Sequence, residues 1–74
     1  MTFKIGTVNI RGLTKYRYNL EFFLNNNKID VVGIQESLIT NIKQTPNING
    51  YCHLTKLGKL RSTGITIYVK NKWK

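Results

Sequence analysis

The chain has 74 residues, a formal net charge of +9 and a hydrophobic fraction of 41%. This length suits a single small domain, and the apolar content excludes an intrinsically disordered chain. The positive charge predicts an anionic partner, for which nucleic acid is the simplest candidate and a membrane surface the other. No apolar stretch is long enough to span a bilayer, so we expect no membrane insertion. One cysteine, Cys52, excludes an internal disulfide and favours an intracellular, reducing compartment.

The first half of the chain predicts a strand, a helix and a second strand. Residues 2–10 alternate in the manner of a strand that carries apolar groups on both faces towards its end. Thr14 is a candidate N-cap for a helix over residues 15–26, whose apolar residues follow helical spacing. The apolar run over residues 29–37 predicts a buried second strand, which ends abruptly in Gln35 and Glu36.

The second half of the chain predicts a loop and a hairpin. Residues 39–49 are mostly polar and are expected to form a surface loop. Residues 51–55 and 63–70 read as antiparallel strands joined by the basic turn 56–61. The predicted fold class is therefore α/β, with an amino-terminal βαβ unit followed by a β-hairpin.

The predicted βαβ unit brings two distant side chains to one place. Its strands should run parallel with a right-handed crossover, so their carboxyl ends meet at one edge of the sheet. Asn9 and Glu36 stand at these two ends. In open α/β sheets this edge is the usual position of a ligand site.

Glu36 is the best candidate for chemistry, because the chain has only three acidic residues. A carboxylate at the exit of a buried strand suits a divalent cation, which prefers oxygen ligands. The alternative is a surface carboxylate that caps the next loop or pairs with a lysine. Asn9 offers an amide to a phosphate oxygen or to Glu36, and its alternative is a turn-forming asparagine. Asp30 lies at the far end of the second strand and is interpreted as a cap or a solvated charge.

Two basic groups are candidates for contacts with nucleic acid. Arg11, Lys15 and Arg17 surround the start of the predicted helix, and the hairpin turn carries a further cluster: Lys56, Lys59 and Arg61. Cations with nearby aromatic residues suit a nucleic-acid backbone. Ordinary solvated charge explains either group nearly as well.

The order of these motifs resembles the amino-terminal part of the endonuclease/exonuclease/phosphatase superfamily, and within it the apurinic-endonuclease-like domain of LINE-type (non-LTR) retrotransposons. The family's first strand ends in Trp-Asn-hydrophobic-Arg/Asn-Gly, which residues 9–12 match while Val8 replaces the tryptophan. The family's second strand ends in Gln-Glu followed by Ser or Thr, as residues 35–37 do here. A later Gly-Gly-hydrophobic strand is matched in part by Gly64, Ile65 and Ile67, with Thr63 replacing one glycine.

The resemblance implies a Mg²⁺- or Mn²⁺-dependent DNA endonuclease in which Glu36 is a metal ligand and Asn9 orients it or the scissile phosphate. It also implies a retrotransposon-like origin, a nuclear location and a neighbouring reverse transcriptase region. The family's later catalytic tyrosine, its Asp-x-Asn pair and its terminal Asp-His have no counterparts among these residues. Residues 1–74 are thus expected to be a partial domain of a four-layer α/β sandwich that leaves one apolar sheet face open and has little activity alone.

Two other functions remain open at this point. The first is a small basic nucleic-acid-binding module without catalysis, which the charge of +9 alone would explain. The second stays within the superfamily and is a phosphatase acting on lipid or inositol phosphates.

Overall fold

The computed structural model describes residues 3–58 and 64–73. They form one four-stranded sheet with a single α-helix, in the chain order β1 (Ile5–Asn9), α1 (Arg17–Asn27), β2 (Val31–Gln35), β3 (Tyr51–Lys56) and β4 (Ile65–Lys70). Two short 3-10 turns cover Ile42–Gln44 and Asn71–Trp73.

The sheet has the strand order β1-β2-β4-β3. β1 and β2 are parallel and joined by α1, while β4 pairs antiparallel with both β2 and β3. The βαβ unit, the hairpin and the α/β class predicted from the sequence are therefore confirmed. The position of β4 between β2 and β3 makes the sheet mixed, with β1 at one edge and β3 at the other.

One face of the sheet carries the core. Val32, Ile34 and Tyr68 are fully buried there, beneath Leu20 and Leu24 of α1. The Tyr68 hydroxyl donates a hydrogen bond to the carbonyl of Pro46 at 2.7 Å. Burial raises the pKa of this hydroxyl to about 12, because the phenolate would lose its hydration. α1 thus supplies the layer that covers this face.

The opposite face, which we call the open face, is apolar and exposed. Side chains alternate across the pleat, so the register places Ile5, Val31 and Val69 in one row and Ile67 and Leu54 in the next. Ile5 is 69% exposed and Leu54 73% exposed. No element within residues 3–58 and 64–73 covers these rows.

The helix begins later than the sequence predicts, and Thr14 does not cap it. The N-cap residue is Tyr16, and no side chain accepts a capping hydrogen bond. The preceding turn is fixed instead by buried Leu13, whose amide donates to the carbonyl of Ser37 at 2.9 Å. The helix ends at Asn27, and Lys28 follows in a left-handed conformation.

The prediction of a surface loop over residues 39–49 is partly wrong. Ile39, Thr45, Pro46 and Ile48 are buried against the covered face. The hydroxyl of Thr45 lies 2.8 Å from that of Thr55 on β3. A predominantly polar segment hides this role, because its few apolar residues follow no regular period.

No helix in the described part of the chain is long and apolar enough to cross a membrane.

Candidate functional site at the carboxyl rim

We use the name carboxyl rim for residues 9–12 and 36–38, where the parallel strands β1 and β2 end. Asn9 is in register with Gln35. The amide of Ile10 donates to the carbonyl of Gln35 at 3.1 Å, and the amide of Gly12 donates to the carbonyl of Glu36 at 3.1 Å. The backbones that carry Asn9 and Glu36 are therefore held side by side, at the edge where the sequence predicts them.

The backbone of the carboxyl rim adopts left-handed conformations. Arg11, Glu36 and Leu38 have φ values of 48°, 53° and 57°, and each carries a side chain that disfavours this region. Such residues cost about 1–3 kcal/mol each and cluster at functional sites. At Glu36 this conformation breaks the alternation of β2, so its side chain leaves the rim in a direction that a regular strand would not give.

The Glu36 carboxylate is accessible and only loosely paired. Its side chain is 31% exposed, and the Nε of Arg11, itself 82% exposed, lies 4.0 Å from its Oε1. An exposed pair at this distance contributes at most about 1 kcal/mol and is screened by salt. Asn9 is exposed on the open face. None of the side-chain hydrogen bonds described within residues 3–58 and 64–73 joins it to Glu36, so the carboxylate remains free to bind a cation.

The fit of a divalent cation to this rim is partial. Within the described ranges no three His, Cys, Asp or Glu side chains are placed to bind a metal ion together. One carboxylate and one amide oxygen are nevertheless hard donors of the kind that Mg²⁺ uses together with water and substrate phosphate. The carboxyl rim therefore fits a single-carboxylate site that other ligands complete.

The predicted basic residues lie in different places. Arg11 is part of the carboxyl rim, and Lys56 ends β3 opposite Ile65. The register puts Lys56 in the same row of the open face as Asn9, roughly 14 Å away across three strand spacings of about 4.8 Å. Lys59 and Arg61 lie outside the described residues.

The cations at the start of α1 have aromatic partners. The Lys15 ammonium lies 5.3 Å from the centre of the Tyr16 ring, and the Arg17 guanidinium lies 4.9 Å from that of Tyr18. Arg17 also donates to the carbonyl of Asn47 at 3.2 Å. Arg17 therefore has a structural role in addition to its charge.

Sequence reasoning missed the contact that anchors the carboxyl rim to β4. Ser37 is fully buried, and its amide donates to the carbonyl of Gly64 at 3.1 Å. A Cβ on Gly64 would lie 3.0 Å from the Ser37 hydroxyl oxygen, so the glycine permits this close approach. The available signal is the pair of matches to the family pattern, at residue 37 and at Gly64.

Of the two interpretations of Asp30, a cap or a solvated charge, the solvated charge is wrong, because the residue is only 3% exposed. It accepts hydrogen bonds from the Lys4 amide at 2.8 Å and from the Trp73 Nε1 at 2.9 Å. These two bonds, and then the nearby charges of Lys70 and Lys72, outweigh burial and hold the pKa of Asp30 below its ordinary value. Its partners are distant in sequence, and no local pattern reveals them.

These features define the class of the fold: a mixed α/β sheet with a polar rim at the ends of two parallel strands. Solved structures of two AP endonucleases share this fold. The AP endonuclease from Archaeoglobus fulgidus superposes with a TM-score of 0.78 at 24% identity, over 92% of this chain and 27% of that one. The catalytic domain of Xenopus laevis APE2 superposes with a TM-score of 0.72 at 25% identity, over 92% of this chain and 23% of that one.

The chain therefore has the fold of an AP endonuclease segment and spans about a quarter of the length of these structures. The resemblance to the endonuclease/exonuclease/phosphatase superfamily is confirmed at the level of the fold. The closer resemblance to the LINE-type domain stays a prediction. No protein-family model matches the chain. No curated protein sequence matches it either.

Proposed function

We propose that this chain is part of a DNA endonuclease that hydrolyses a phosphodiester with Mg²⁺ or Mn²⁺, and that Glu36 is a metal ligand. The observation that carries the proposal is the convergence of Asn9 and Glu36 on one rim through two parallel strands in register. The two AP endonucleases of the same fold support DNA as the substrate, and so does the net charge of +9.

In this proposal the residues of the carboxyl rim bind and orient. The Glu36 carboxylate holds the cation, and the Asn9 amide donates a hydrogen bond to a phosphate oxygen or to Glu36 itself. When bound there, a divalent cation polarises the phosphoryl group and offsets the charge on the leaving oxygen. Arg11 and Lys56 face the sugar–phosphate backbone, where their charges add affinity without sequence preference.

The described residues lack a group to activate water or to protonate the leaving oxygen. The one histidine, His53, instead lies 3.1 Å through its Nε2 from the Oδ1 of Asn47. We therefore propose that the chain alone is a truncated and inactive part of the enzyme. The LINE-type resemblance adds the proposal that the intact enzyme belongs to a retrotransposon-like element and acts in the nucleus, next to a reverse transcriptase region.

Metal binding at Glu36 is testable without activity. Mn²⁺ added to the ¹⁵N-labelled chain should broaden the amide signals of Asn9, Gln35 and Glu36, because paramagnetic relaxation falls steeply with distance. Glu36→Gln should abolish this broadening. The matched control is Glu21→Gln, which removes the charge of the chain's other glutamate. Glu21 lies on α1, so this change should leave the broadening unchanged. Broadening centred on Glu21 or Asp30 would contradict the metal assignment.

Cleavage tests the claim that the chain is incomplete. Supercoiled plasmid incubated with the chain and Mg²⁺ or Mn²⁺ is expected to stay closed, since acid–base groups are lacking. Nicking that Glu36→Ala abolishes would show a complete site and overturn the fragment claim. Nicking that persists in that variant would point to a contaminating nuclease.

The second candidate function is a basic nucleic-acid-binding module without catalysis, which the exposed side chains of Arg11 and Lys56 favour. Binding should then weaken with salt, and Arg11→Gln should reduce the slope of log K against log salt by about 1. Lys28→Gln, at the other end of α1, is the matched control. Binding that is insensitive to Mg²⁺ and to changes at Asn9 and Glu36 would favour this module over the nuclease.

A further inference from the structure

The chain makes an irregular step where β2 ends. The antiparallel register pairs Gln35 with Ile65, so a regular continuation would place Glu36 opposite Gly64. The amide that donates to the Gly64 carbonyl is instead that of Ser37, at 3.1 Å. Two residues after β2 therefore lie against one residue before β4, in the manner of a β-bulge. Bulges are over-represented next to active sites, where they change the direction of a side chain.

Glu36 occupies a position in this step that glycine would fill more easily. Its φ of 53° is left-handed, and one common type of bulge has a glycine at its first residue for that reason. A residue with a side chain keeps such a conformation only where the surrounding structure enforces it. The contacts of the next residue, Ser37, show what enforces it here.

Ser37 is held from both sides. Its amide donates to Gly64, before β4, and its carbonyl accepts from the amide of Leu13 at 2.9 Å, in the turn after β1. The carbonyl of Glu36 is held in the same way by the amide of Gly12, at 3.1 Å. The Ser37 side chain is fully buried, whereas that of Glu36 is partly exposed. The position of Ser37 therefore determines where the chain can place Glu36.

The contact between Ser37 and Gly64 leaves no room for a further atom. A Cβ on Gly64 would lie 3.0 Å from the Ser37 hydroxyl oxygen, but at an ordinary distance of 3.8 Å from the carbonyl oxygens of Ile39 and Lys56. Gly64 does not have a positive φ, so the requirement for glycine is steric rather than conformational. Within residues 3–58 and 64–73 the Ser37 hydroxyl has no hydrogen-bond partner, so it fills space at this contact.

We propose that Gly64 is a positioning residue for Glu36: it lets Ser37 approach, which keeps the bulge closed and directs the Glu36 carboxylate towards the cation. This inference rests on the proposed role of Glu36 as a metal ligand. Gly64 acts only through Ser37 and does not itself bind the cation. Residues that orient a ligand from behind change the metal affinity when they are altered.

Gly64→Ala in the full 74-residue chain tests the proposal. The added methyl group should displace Ser37, and Glu36 should then lose its left-handed conformation. A left-handed residue gives a strong NMR cross-peak between its own amide and α protons, and this cross-peak of Glu36 should weaken. The Mn²⁺ concentration that half-broadens the Glu36 amide signal should rise about ten-fold.

Two further variants separate positioning from a general loss of structure. Combining Gly64→Ala with Ser37→Ala removes the hydroxyl that the added methyl group meets, so both measurements should return to those of the parent chain. Gly33→Ala is the matched control and should change neither, because a Cβ there would have no atom within 4 Å. Circular dichroism shows whether each variant is folded. If Gly64→Ala is unfolded, Ser37→Cys replaces it, because sulfur crowds the same contact from the other side.

Three outcomes would each overturn the proposal: an unchanged Glu36 cross-peak in Gly64→Ala, a loss that Ser37→Ala does not reverse, or a lost cross-peak with unchanged Mn²⁺ broadening. A parent chain in which Mn²⁺ does not broaden the Glu36 signal would refute the metal assignment instead. The cross-peaks are measured without metal. They would still decide whether Gly64 and Ser37 set the conformation of Glu36.

Discussion

The two carboxylates at the ends of β2 have the same charge and opposite surroundings. Asp30 precedes the strand, is 3% exposed and accepts hydrogen bonds from a backbone amide and from an indole. Glu36 follows the strand, its side chain is 31% exposed, and its ion pair with Arg11 is long, at 4.0 Å. Its backbone is left-handed, whereas Asp30 does not have a positive φ.

The difference separates a structural acid from one that is free to bind. The hydrogen bonds of Asp30 join the amino end of the sheet to the chain after β4. Both of its carboxylate oxygens therefore accept hydrogen bonds from within the fold. Glu36 has a strained backbone conformation, and its side chain makes only one long ion pair, with Arg11. Strain at an accessible polar residue is typical of a site whose partner is a ligand.

The largest expected effect is on stability, at Asp30. Asp30→Asn keeps an acceptor oxygen but removes the charge that strengthens both hydrogen bonds, and it should lower the urea midpoint more than any other substitution considered below. Glu36→Gln, the same chemical change at the other end of β2, should leave the midpoint nearly unchanged. Equal losses in the two variants, measured by circular dichroism, would break the comparison.

Acid should reproduce the effect of Asp30→Asn. The folded-state pKa of Asp30 lies below its unfolded value of 3.8, so its contribution to stability is present above that value. The contribution is lost as the pH falls through the lower, folded-state pKa. Urea midpoints measured between about pH 5 and 2 should therefore fall less steeply in Asp30→Asn than in the parent chain. Parallel profiles would show that Asp30 is not the group responsible.

Glu36→Gly should stabilise the chain by about 1 kcal/mol, because glycine adopts the left-handed conformation without strain. Lys28→Gly is the benchmark, since Lys28 is exposed and left-handed at the end of α1 with a φ of 52°. Its expected gain is about 0.5–1 kcal/mol. A loss of stability in Glu36→Gly alongside a gain in Lys28→Gly would mean that the Glu36 side chain is structural after all. The free energy of unfolding in urea measures both.

The smallest effect is expected at Arg11. Its ion pair with Glu36 is long and exposed, so Arg11→Gln should change the free energy of unfolding by less than about 0.5 kcal/mol. High salt should leave that small difference unchanged or reduce it. A larger loss would show that the pair holds the carboxyl rim together.

The sequence was sufficient for the parts of the fold that repeat with a period. Alternation in β1 and β4 and the helical spacing of Leu20 and Leu24 gave the βαβ unit and the hairpin. The right-handed connection rule for parallel strands then predicts that Asn9 and Glu36 lie at one edge of the sheet. The strand order could not be predicted, because several pairings of β4 satisfy the same alternation.

The rest of the candidate site depends on contacts between distant residues. The indole partner of Asp30 lies 43 positions further along the chain. The left-handed residue Glu36 directly precedes Ser37, whose amide donates to the carbonyl of Gly64, and no short motif specifies this contact. The helix also begins later than its spacing predicts. The turn before it is held by the hydrogen bond from the Leu13 amide to the carbonyl of Ser37, just after β2, and Thr14 does not cap the helix. Local propensity fails where tertiary hydrogen bonds decide the backbone.

The position of Trp73 makes the chain its own optical reporter. It is the one tryptophan, and its indole contacts both the Asp30 carboxylate and the edge of the Phe3 ring, 4.9 Å between ring centres. Its fluorescence emission will therefore report on the amino end of the sheet and will change little when only the opposite end is perturbed. A fluorescence change on adding DNA or Mn²⁺ would accordingly signal a rearrangement transmitted along the length of β2.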